Sequence, residues 1–352
     1  MSPSPRSADP MQTLFGDLPV LDDDVGLEQA YAVLDEHALA DGLPQLPPTR
    51  SRLGAMLATV RDPAHEHAML APTYAPLTAA AVAYQCVLAG CEPAALPVVL
   101  SAAHACAEPA FNLLGILTTT GTPTATLCVH NPLARRLGVN AGGNCLGPGH
   151  RVNASIGRAL SLVFRNIGGA RPGIGDMATM GQPGKIGICF GENDEDLLPP
   201  LHVRRGFEPD AEVVTVLGTS GTVEVLPIEG GATPESILDP AATAMAACYL
   251  TGGAARRPQA HEQYLLVPPE LARVLSTHGW SLQRCQGWLL ERSTQRLQAL
   301  TAVIEMPAAS TQVAHDAPDI HIIVTGGTGV KMTYLPPWGG GTLAVSTALV
   351  QP

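Results

Sequence analysis

Glycine and proline are so abundant in this chain that much of it is expected to form turns and glycine loops. The 352 residues include 36 Gly and 32 Pro; glycine loosens the backbone, and proline removes a hydrogen-bond donor. The apolar runs between them are of two kinds. Residues 124–129 and 320–324 are typical of buried strands, whereas residues 153–166 have the apolar spacing of a helix. This mixture predicts an α/β fold of two packed halves with glycine-rich loops at the strand ends.

The length and an internal similarity predict how the chain is divided. A chain of 352 residues is long enough for about two domains. We expect a partly irregular N-terminal lead-in at 1–60, a first α/β domain with a glycine-rich loop at 61–210, and a second α/β half at 211–352. Residues 214–223 and 322–330 share a pattern of strand, glycine turn and strand. The similarity indicates pseudo-symmetric halves, with a chance likeness of two glycine hairpins as the alternative.

The charge balance and the cysteines argue against several classes of protein. With 20 Lys and Arg against 31 Asp and Glu, the net charge of −11 argues against a general nucleic-acid-binding protein, which needs a basic face. No unbroken apolar run reaches about 18 residues, so no membrane span is expected, and we see no secretory signal. Eight cysteines without a Cys-x-x-Cys pair indicate neither a disulfide scaffold nor a zinc ribbon, and they predict a reducing cytoplasm.

The two lysines stand out among the charged residues. Of the 20 basic side chains only Lys185 and Lys331 are lysines, as the codon bias of a GC-rich genome would produce. Bias does not explain their positions, because each follows a glycine-rich stretch, at 181–184 and 326–329. Lys331 could pair with an anionic substrate group or act as a base, next to an apolar wall at 334–338. A surface hairpin is the alternative.

A glycine-rich loop at 140–150 leads into the helix predicted at 153–166. Glycines allow close approach of a ligand, and the N-terminus of a helix attracts anions. The loop has neither a Walker A nor a G-x-G-x-x-G pattern, so a small carboxylate or phosphate is expected rather than a nucleotide. A tight turn between domains is the alternative. The predicted substrate-binding residues here are Gly143, Asn144, Gly149, Arg151, Asn153 and Arg158.

Reactive side chains are concentrated in the segment that follows. On a strand, Lys185 and Cys189 would share a face, and an ammonium close to a thiol favours the reactive thiolate. A carboxylate or a histidine could relay a proton, and Arg205 adds a further substrate-binding charge. The alternative is a buried core cysteine next to a solvated acidic loop. The predicted catalytic residues are Lys185, Cys189, Glu192, His202 and Lys331.

A pair of histidines, His65 and His67, raises the question of a metal ion. On a strand the two rings would share a face, but two ligands alone do not form a site. No metal site and no organic cofactor are therefore predicted, and a divalent metal at these histidines is kept as an alternative. The other side chains that could join them are His315, Asp316, Asp319 and His321.

Several strings resemble the bacterial UGSC-like proteins, a family in which some members carry selenocysteine. The strings include Gly90-Cys91-Glu92-Pro93, Pro109-Ala110-Phe111-Asn112-Leu113, Asn153-Ala154-Ser155-Ile156-Gly157-Arg158-Ala159-Leu160, Gly181-Gln182-Pro183-Gly184-Lys185 and Leu201-His202-Val203. The chain resembles a long form that lacks the tetrad of selenocysteine or Cys followed by Gly-Ser-Cys. It has Thr325-Gly326-Gly327-Thr328 where a strand-end loop would hold the tetrad, which argues against selenol or dithiol redox chemistry. The resemblance implies a family motif containing Lys185, Cys189, Glu192, His202 and Arg205.

Together these features predict an enzyme of the lyase or hydrolase type, a cytoplasmic homo-oligomer that acts on a small anionic metabolite. We expect it to make or break a C–N or C–S bond without an organic cofactor, because polar side chains gather in loops and no cofactor motif is present. Neither nucleic acid nor a membrane is expected as a partner. The alternatives are a thiol-based redox protein and a non-catalytic ligand-binding or enzyme-partner protein.

Overall fold

Helices and strands alternate along the protein, which has an α/β fold. The computed structural model describes residues 9–193, 195, 198–251, 262–304 and 312–352. In these ranges no single helix is long and apolar enough to cross a membrane; segments 93–107 and 109–118 pass that test only as a pair bent by 75°. The α-helices are α1 Pro10–Phe15, α2 Leu27–Glu36, α3 Arg50–Leu57, α4 Ala79–Ala89, α5 Leu96–Ala107, α6 Leu113–Thr118, α7 Leu133–Leu137, α8 Arg151–Asn166, α9 Leu201–Arg204, α10 Pro234–Thr251, α11 Pro269–Thr277 and α12 Leu282–Ile304. The strands are β1 Glu66–Leu70, β2 Ala75–Thr78, β3 Thr124–Val129, β4 Ile188–Gly191, β5 Val213–Thr219, β6 Val223–Val225, β7 Gln263–Val267, β8 Ile320–Val324, β9 Met332–Leu335 and β10 Val345–Ala348.

Two four-stranded sheets with the same arrangement form the centre of the fold. Their strand orders are β10-β5-β3-β4 and β6-β9-β7-β8. In each sheet the last two strands are parallel, and the other neighbours are antiparallel. The chain crosses from β3 to β4 through α7 and α8, and from β7 to β8 through α11 and α12. The two sheets are therefore two copies of one topology.

The edge strands are exchanged between these copies. β6 follows β5 in the chain but pairs with β9, whereas β10 follows β9 but pairs with β5. The predicted boundary at residue 210 therefore does not separate the sheets, because β5 and β10 lie beyond it and belong to the first sheet. The internal similarity also needs correction. It equates β5 with β8, whereas the topology equates β4 with β8 and β5 with β9.

The alternation of side chains along the strands places the two sheets face to face. Leu127 of β3 lies in a core formed with α4, α5 and α8. Its neighbour Cys128 lies instead in an apolar cluster that includes Tyr264 and Leu266 of β7. Leu265, on the other face of β7, packs with α10, α11 and α12. The order of layers is therefore helices, first sheet, second sheet, helices, and both sheets are covered on both faces.

The N-terminal region is more regular than expected. Helices α1, α2 and α3 occupy much of residues 10–57. Leu34, Leu39 and Leu53 from this region are buried in the same core as α4, and the hairpin of β1 and β2 follows. Residues 1–8 of the predicted lead-in lie outside the described residues. The described part of the lead-in is thus a packed part of the first core.

Gly187 lies where α8 and the start of β4 touch backbone to backbone. A Cβ at this position would lie 2.2 Å from the carbonyl carbon of Gly157, and its φ is 137°. We expect Gly187→Ala to lower the free energy of unfolding by about 3 kcal/mol or more, because an overpacked contact adds to backbone strain. Gly329→Ala is the matched control, since Gly329 also has a φ of 137° and no atom within 4 Å of its Cβ position. If urea denaturation showed the same loss of unfolding free energy in both variants, the contact between Gly187 and Gly157 would be unimportant.

Candidate functional site

The glycine-rich loop at 140–150 packs against the second half of the molecule. A Cβ added to Gly327 would lie 2.6 Å from the Cα of Gly143, so the two loops touch at their backbones. The Gly326 N–H donates to the carbonyl oxygen of Ala141 at 2.9 Å. These are the contacts of a tight turn between the two halves.

Two other residues predicted to bind substrate in this loop stabilise or permit its own conformation. The Asn144 side chain donates to the carbonyl oxygen of Pro148 at 2.6 Å. Gly149 has a φ of 111° and immediately precedes the residue that caps α8. The hydrogen bond of Asn144 and the positive φ of Gly149 are therefore accounted for by the conformation of the loop itself.

Asn153 holds this loop to α8 and β4. The side chain is 3% exposed. Its Oδ1 accepts a hydrogen bond from the Asn140 N–H at 2.8 Å, and its Nδ2 donates to the carbonyl oxygens of Asn140, Cys145 and Cys189 at 3.0, 3.3 and 3.1 Å. The amide is therefore engaged by the protein itself.

The three arginines predicted to bind substrate are paired with protein groups. Arg158 donates two hydrogen bonds of 2.8 Å to the carboxylate of Asp41, and these join the N-terminal region to α8. Burial raises the pKa of Asp41, but the hydrogen bonds and charge of Arg158 outweigh burial, so the pKa lies below 3.8. Arg151 and Arg205 each donate to a backbone carbonyl oxygen, at 3.1 and 2.6 Å.

Lys185 and Cys189 do not share a strand face. Lys185 lies in a 3₁₀ turn at Pro183–Ile186, and β4 begins only after Gly187. Cys189 is 3% exposed and packs in the core with the helices. Burial raises the pKa of Cys189, and the nearby Cys91 adds to the effect. A thiol in these surroundings is protonated and a poor nucleophile.

Six other cysteines show the same effect of burial on the thiol pKa. All eight are unpaired. The thiolate is the nucleophile, so these surroundings give little support to thiol chemistry. Burial is the main cause that raises the pKa of Cys86, Cys106, Cys128, Cys145, Cys248 and Cys285.

Lys331 lies apart from Lys185 and Cys189. Its side chain is 63% exposed, and its Nζ is 3.5 Å from a carboxylate oxygen of Glu224. It immediately precedes β9, whose partner β6 carries Glu224. The structure therefore places this lysine on the surface of the second sheet.

Glu192 and His202 do come together, around a histidine that the sequence analysis did not single out. The Nδ1 of His130 is 2.7 Å from Glu192 Oε2, and its Nε2 is 2.6 Å from the hydroxyl of Thr215. The ring centroids of His130 and His202 are 4.9 Å apart. Burial lowers the pKa of His202, and His130 lowers it further, so this imidazole is neutral at pH 7. His130 directly follows β3, Glu192 directly follows β4, and Thr215 lies within β5.

The sequence did contain a weak signal for His130. It is the first residue after the apolar run 124–129, and Glu192 is the first residue after β4. The carboxyl ends of adjacent parallel strands meet at one edge of a sheet, where ligands commonly bind. The signal becomes specific only when the parallel pairing of β3 and β4 is known.

Among the described residues, the histidine metal site that was kept as an alternative is not formed. His65 and His67 have ring centroids 4.8 Å apart. His321, however, is buried in β8 of the second sheet, and His315 is exposed. In the described part of the chain, a different group of side chains could hold a metal ion: the ligand atoms of Cys128, His130 and Glu192 lie within 4.8 Å of one another.

Lys185 lines a cavity of about 660 Å³, which we call the Lys185 cavity. It lies between Asp41, helix α8 and the loop at 170–186. Within it, Lys185 Nζ is 2.6 Å from Asp176 Oδ2, and both side chains are largely buried. The apolar walls include Leu117, Leu162, Phe164, Met180 and Ile186.

A second cation, Arg165 of α8, lines the same cavity. Its Nη2 donates to the carbonyl oxygen of Ala40 at 2.6 Å, while its Nε is buried without a hydrogen-bond partner. Among the described residues, no carboxylate forms a salt bridge with it. Burial lowers the pKa of Arg165, and the charge of Arg171 lowers it further. The charge of Asp41 partly opposes this shift, so the protein balances the guanidinium charge only in part.

The Lys185 cavity therefore combines an ion pair, a partly balanced cation and apolar walls. No model of a known protein family matches the chain, and no curated protein matches it either. The chemistry of the cavity is accordingly inferred from its own side chains.

Proposed function

We propose that the protein is an enzyme of the lyase or hydrolase type, and that a small anionic metabolite binds in the Lys185 cavity. One observation carries this proposal: the Lys185–Asp176 ion pair and Arg165, whose Nε has no hydrogen-bond partner, line a single cavity of about 660 Å³. Ligand pockets of this size are usually apolar, with a few polar groups that fix the orientation of the ligand.

Arg165 is the group that would hold the anion. Its planar guanidinium can form two parallel hydrogen bonds with a carboxylate or phosphate. The apolar walls formed by Leu162 and Phe164 strengthen such an ion pair, because electrostatic attraction grows as water is excluded.

The Lys185–Asp176 pair supports a balanced elimination without a cofactor. The Asp176 carboxylate accepts a proton from the carbon next to the C–N or C–S bond. That bond breaks with its electron pair going to the nitrogen or sulfur, which receives a proton from the Lys185 ammonium, and a C=C bond forms. Transfer of the proton from Asp176 to Lys185 across their 2.6 Å contact restores the pair. General acid and base catalysis of this kind requires groups within hydrogen-bond reach.

The test is a search for a substrate, followed by one substitution. The protein is incubated with the anionic fraction of a metabolite extract, and mass spectrometry follows which ions disappear and which replace them. We expect Arg165→Gln to raise KM for the substrate by roughly 10- to 100-fold, because a hydrogen bond to a charged group contributes about 1.5–3 kcal/mol. Heat-denatured protein is the control.

Two outcomes of this search count against the proposal. If a metabolite binds in equilibrium dialysis but is never converted, the protein is a ligand-binding protein rather than an enzyme. If Arg165→Gln leaves KM unchanged, the anion binds elsewhere.

Two further predictions remain proposals. The eight unpaired cysteines support a reducing cytoplasm as the place of action. Membership of the UGSC-like family rests on the strings given above, one of which contains Lys185.

A further inference from the structure

Four buried side chains with nitrogen, oxygen and sulfur donors gather at the carboxyl ends of β3 and β4. We call Cys128, His130, Glu192 and His202 the strand-end cluster. Their exposed fractions are 0%, 0%, 4% and 2%. None of them lines the Lys185 cavity, so the cluster has no part in the function proposed above.

The distances in the cluster suit a single metal ion. Ligand atoms of Cys128, His130 and Glu192 all lie within 4.8 Å of one another. Zinc binds sulfur at about 2.3 Å and nitrogen or oxygen at about 2.0–2.2 Å, so two ligand atoms of a tetrahedral ion lie roughly 3.3–3.6 Å apart, a spacing that fits within this group. His202 lies beside the group, with its ring centroid 4.9 Å from that of His130. His130 Nδ1 and Glu192 Oε2 are 2.7 Å apart and would need to separate by less than about 1 Å for tetrahedral coordination.

The second nitrogen of each histidine is already held by the protein. His130 Nε2 is 2.6 Å from the hydroxyl oxygen of Thr215, and His202 Nε2 is 3.3 Å from the carbonyl oxygen of Pro209. Histidines that ligate a metal usually make such a contact with the ring nitrogen that does not bind the ion. His202 Nδ1 is buried without a hydrogen-bond partner. His202 Nδ1 is therefore available for an ion, whereas His130 Nδ1 would exchange its 2.7 Å contact with Glu192 Oε2 for one with the ion.

We propose that Cys128, His130, Glu192 and His202 bind one zinc ion. Thiolate, imidazole and carboxylate are the ligands that zinc prefers, and four protein ligands in a closed, buried site are typical of a structural ion. The ion would tie β3, β4 and α9 together at one edge of the first sheet. It would stabilise the fold without touching the substrate.

Metal content and cobalt substitution of the whole protein test the proposal. The protein is purified without metal-affinity resin, and its metals are measured by inductively coupled plasma mass spectrometry. We expect about one zinc ion per chain. Replacement by Co²⁺ should give intense visible bands of tetrahedral cobalt and a near-ultraviolet charge-transfer band from one thiolate. Protein with no zinc, and no charge-transfer band after Co²⁺ is added, overturns the proposal.

Two cysteine variants locate the ion. Cys128→Ser should lose the charge-transfer band, whereas Cys106→Ser should keep it. Cys106 is the matched control, because both thiols are 0% exposed and Cys106 lies in α5, outside the cluster. An unchanged spectrum in Cys128→Ser would mean that cobalt binds elsewhere, and would overturn the assignment.

Thr215→Val keeps the test decisive if Cys128→Ser does not fold. This nearly isosteric change removes the hydroxyl that holds His130 and leaves all four proposed ligands in place. We expect zinc affinity, measured by competition with a chromogenic chelator, to fall by roughly 10- to 100-fold. Unchanged affinity would count against His130 as a ligand.

Discussion

Lys185→Met is expected to lower kcat for the identified substrate by roughly 100- to 10,000-fold, the usual contribution of a general acid or base. Methionine fills similar space but has no proton to give. Asp176, whose carboxylate is 2.6 Å from Lys185 Nζ, also loses the group that accepts its proton at the end of each turnover. Because Arg165 still holds the anion, KM should change much less than kcat.

The only other lysine provides the matched control. Lys331→Met makes the same substitution at a side chain that is 63% exposed and paired with Glu224, so we expect kcat to be unchanged. Full turnover by Lys185→Met, or an equal loss in both variants, would show that Lys185 has no special role. Circular dichroism and the melting temperature establish that each variant is folded.

Lys185→Arg distinguishes proton transfer by Lys185 from its electrostatic attraction for the substrate. Arginine keeps the positive charge but cannot release a proton near neutral pH. We expect turnover by Lys185→Arg to be as low as that by Lys185→Met if the ammonium is an acid. Activity restored to near the wild-type level would instead assign Lys185 a purely electrostatic role.

Asn153→Ala is expected to lower the free energy of unfolding by about 3 kcal/mol or more, because each buried polar group left without a partner costs about 1–3 kcal/mol. The substitution removes one accepted and three donated hydrogen bonds that join the glycine-rich loop, α8 and β4. Denaturation in urea measures the effect, which is a large part of the roughly 5–15 kcal/mol that stabilises an ordinary domain.

Asn153→Asp distinguishes lost hydrogen bonds from lost packing. Aspartate has nearly the same shape, but its carboxylate would face the carbonyl oxygens of Asn140, Cys145 and Cys189. We expect it to destabilise the protein at least as much as Asn153→Ala. Asn166→Ala, at the last residue of α8, removes two side-chain hydrogen bonds. It should lower the free energy of unfolding by about half as much as Asn153→Ala, or less. A loss below about 1 kcal/mol for Asn153→Ala would contradict the role of this amide.

Local elements were predictable from local pattern. Strands β3 and β8 have the predicted bounds, and α8 begins only two residues before the predicted start. Buried apolar runs between glycines specify such elements by themselves, because the pattern and the breakers lie in the same few residues. The short strand β10 was not foreseen, since its partly exposed residues have no strong pattern.

The candidate sites were predictable only in part. Lys185 was singled out by its position, but Asp176, nine residues earlier, and Arg165 were not. His130 and Glu192, which are in hydrogen-bond contact, lie 62 residues apart in the sequence. No local sequence pattern reveals a contact between residues so far apart. Cys189 illustrates the opposite error: its neighbours in sequence indicated reactivity, whereas its neighbours in space bury it.

The sequence by itself determined the alternation of helices and strands, the acidic balance and the concentration of charged and polar side chains at 181–205. These follow from residue types and near-neighbour spacing. Only the tertiary structure decided that the halves exchange edge strands, that Lys185 joins Arg165 in a cavity, and that Cys128 meets two histidines and a carboxylate. Each of these depends on strand pairing and on the packing of distant segments, because burial and pairing energies arise between residues that the sequence keeps far apart.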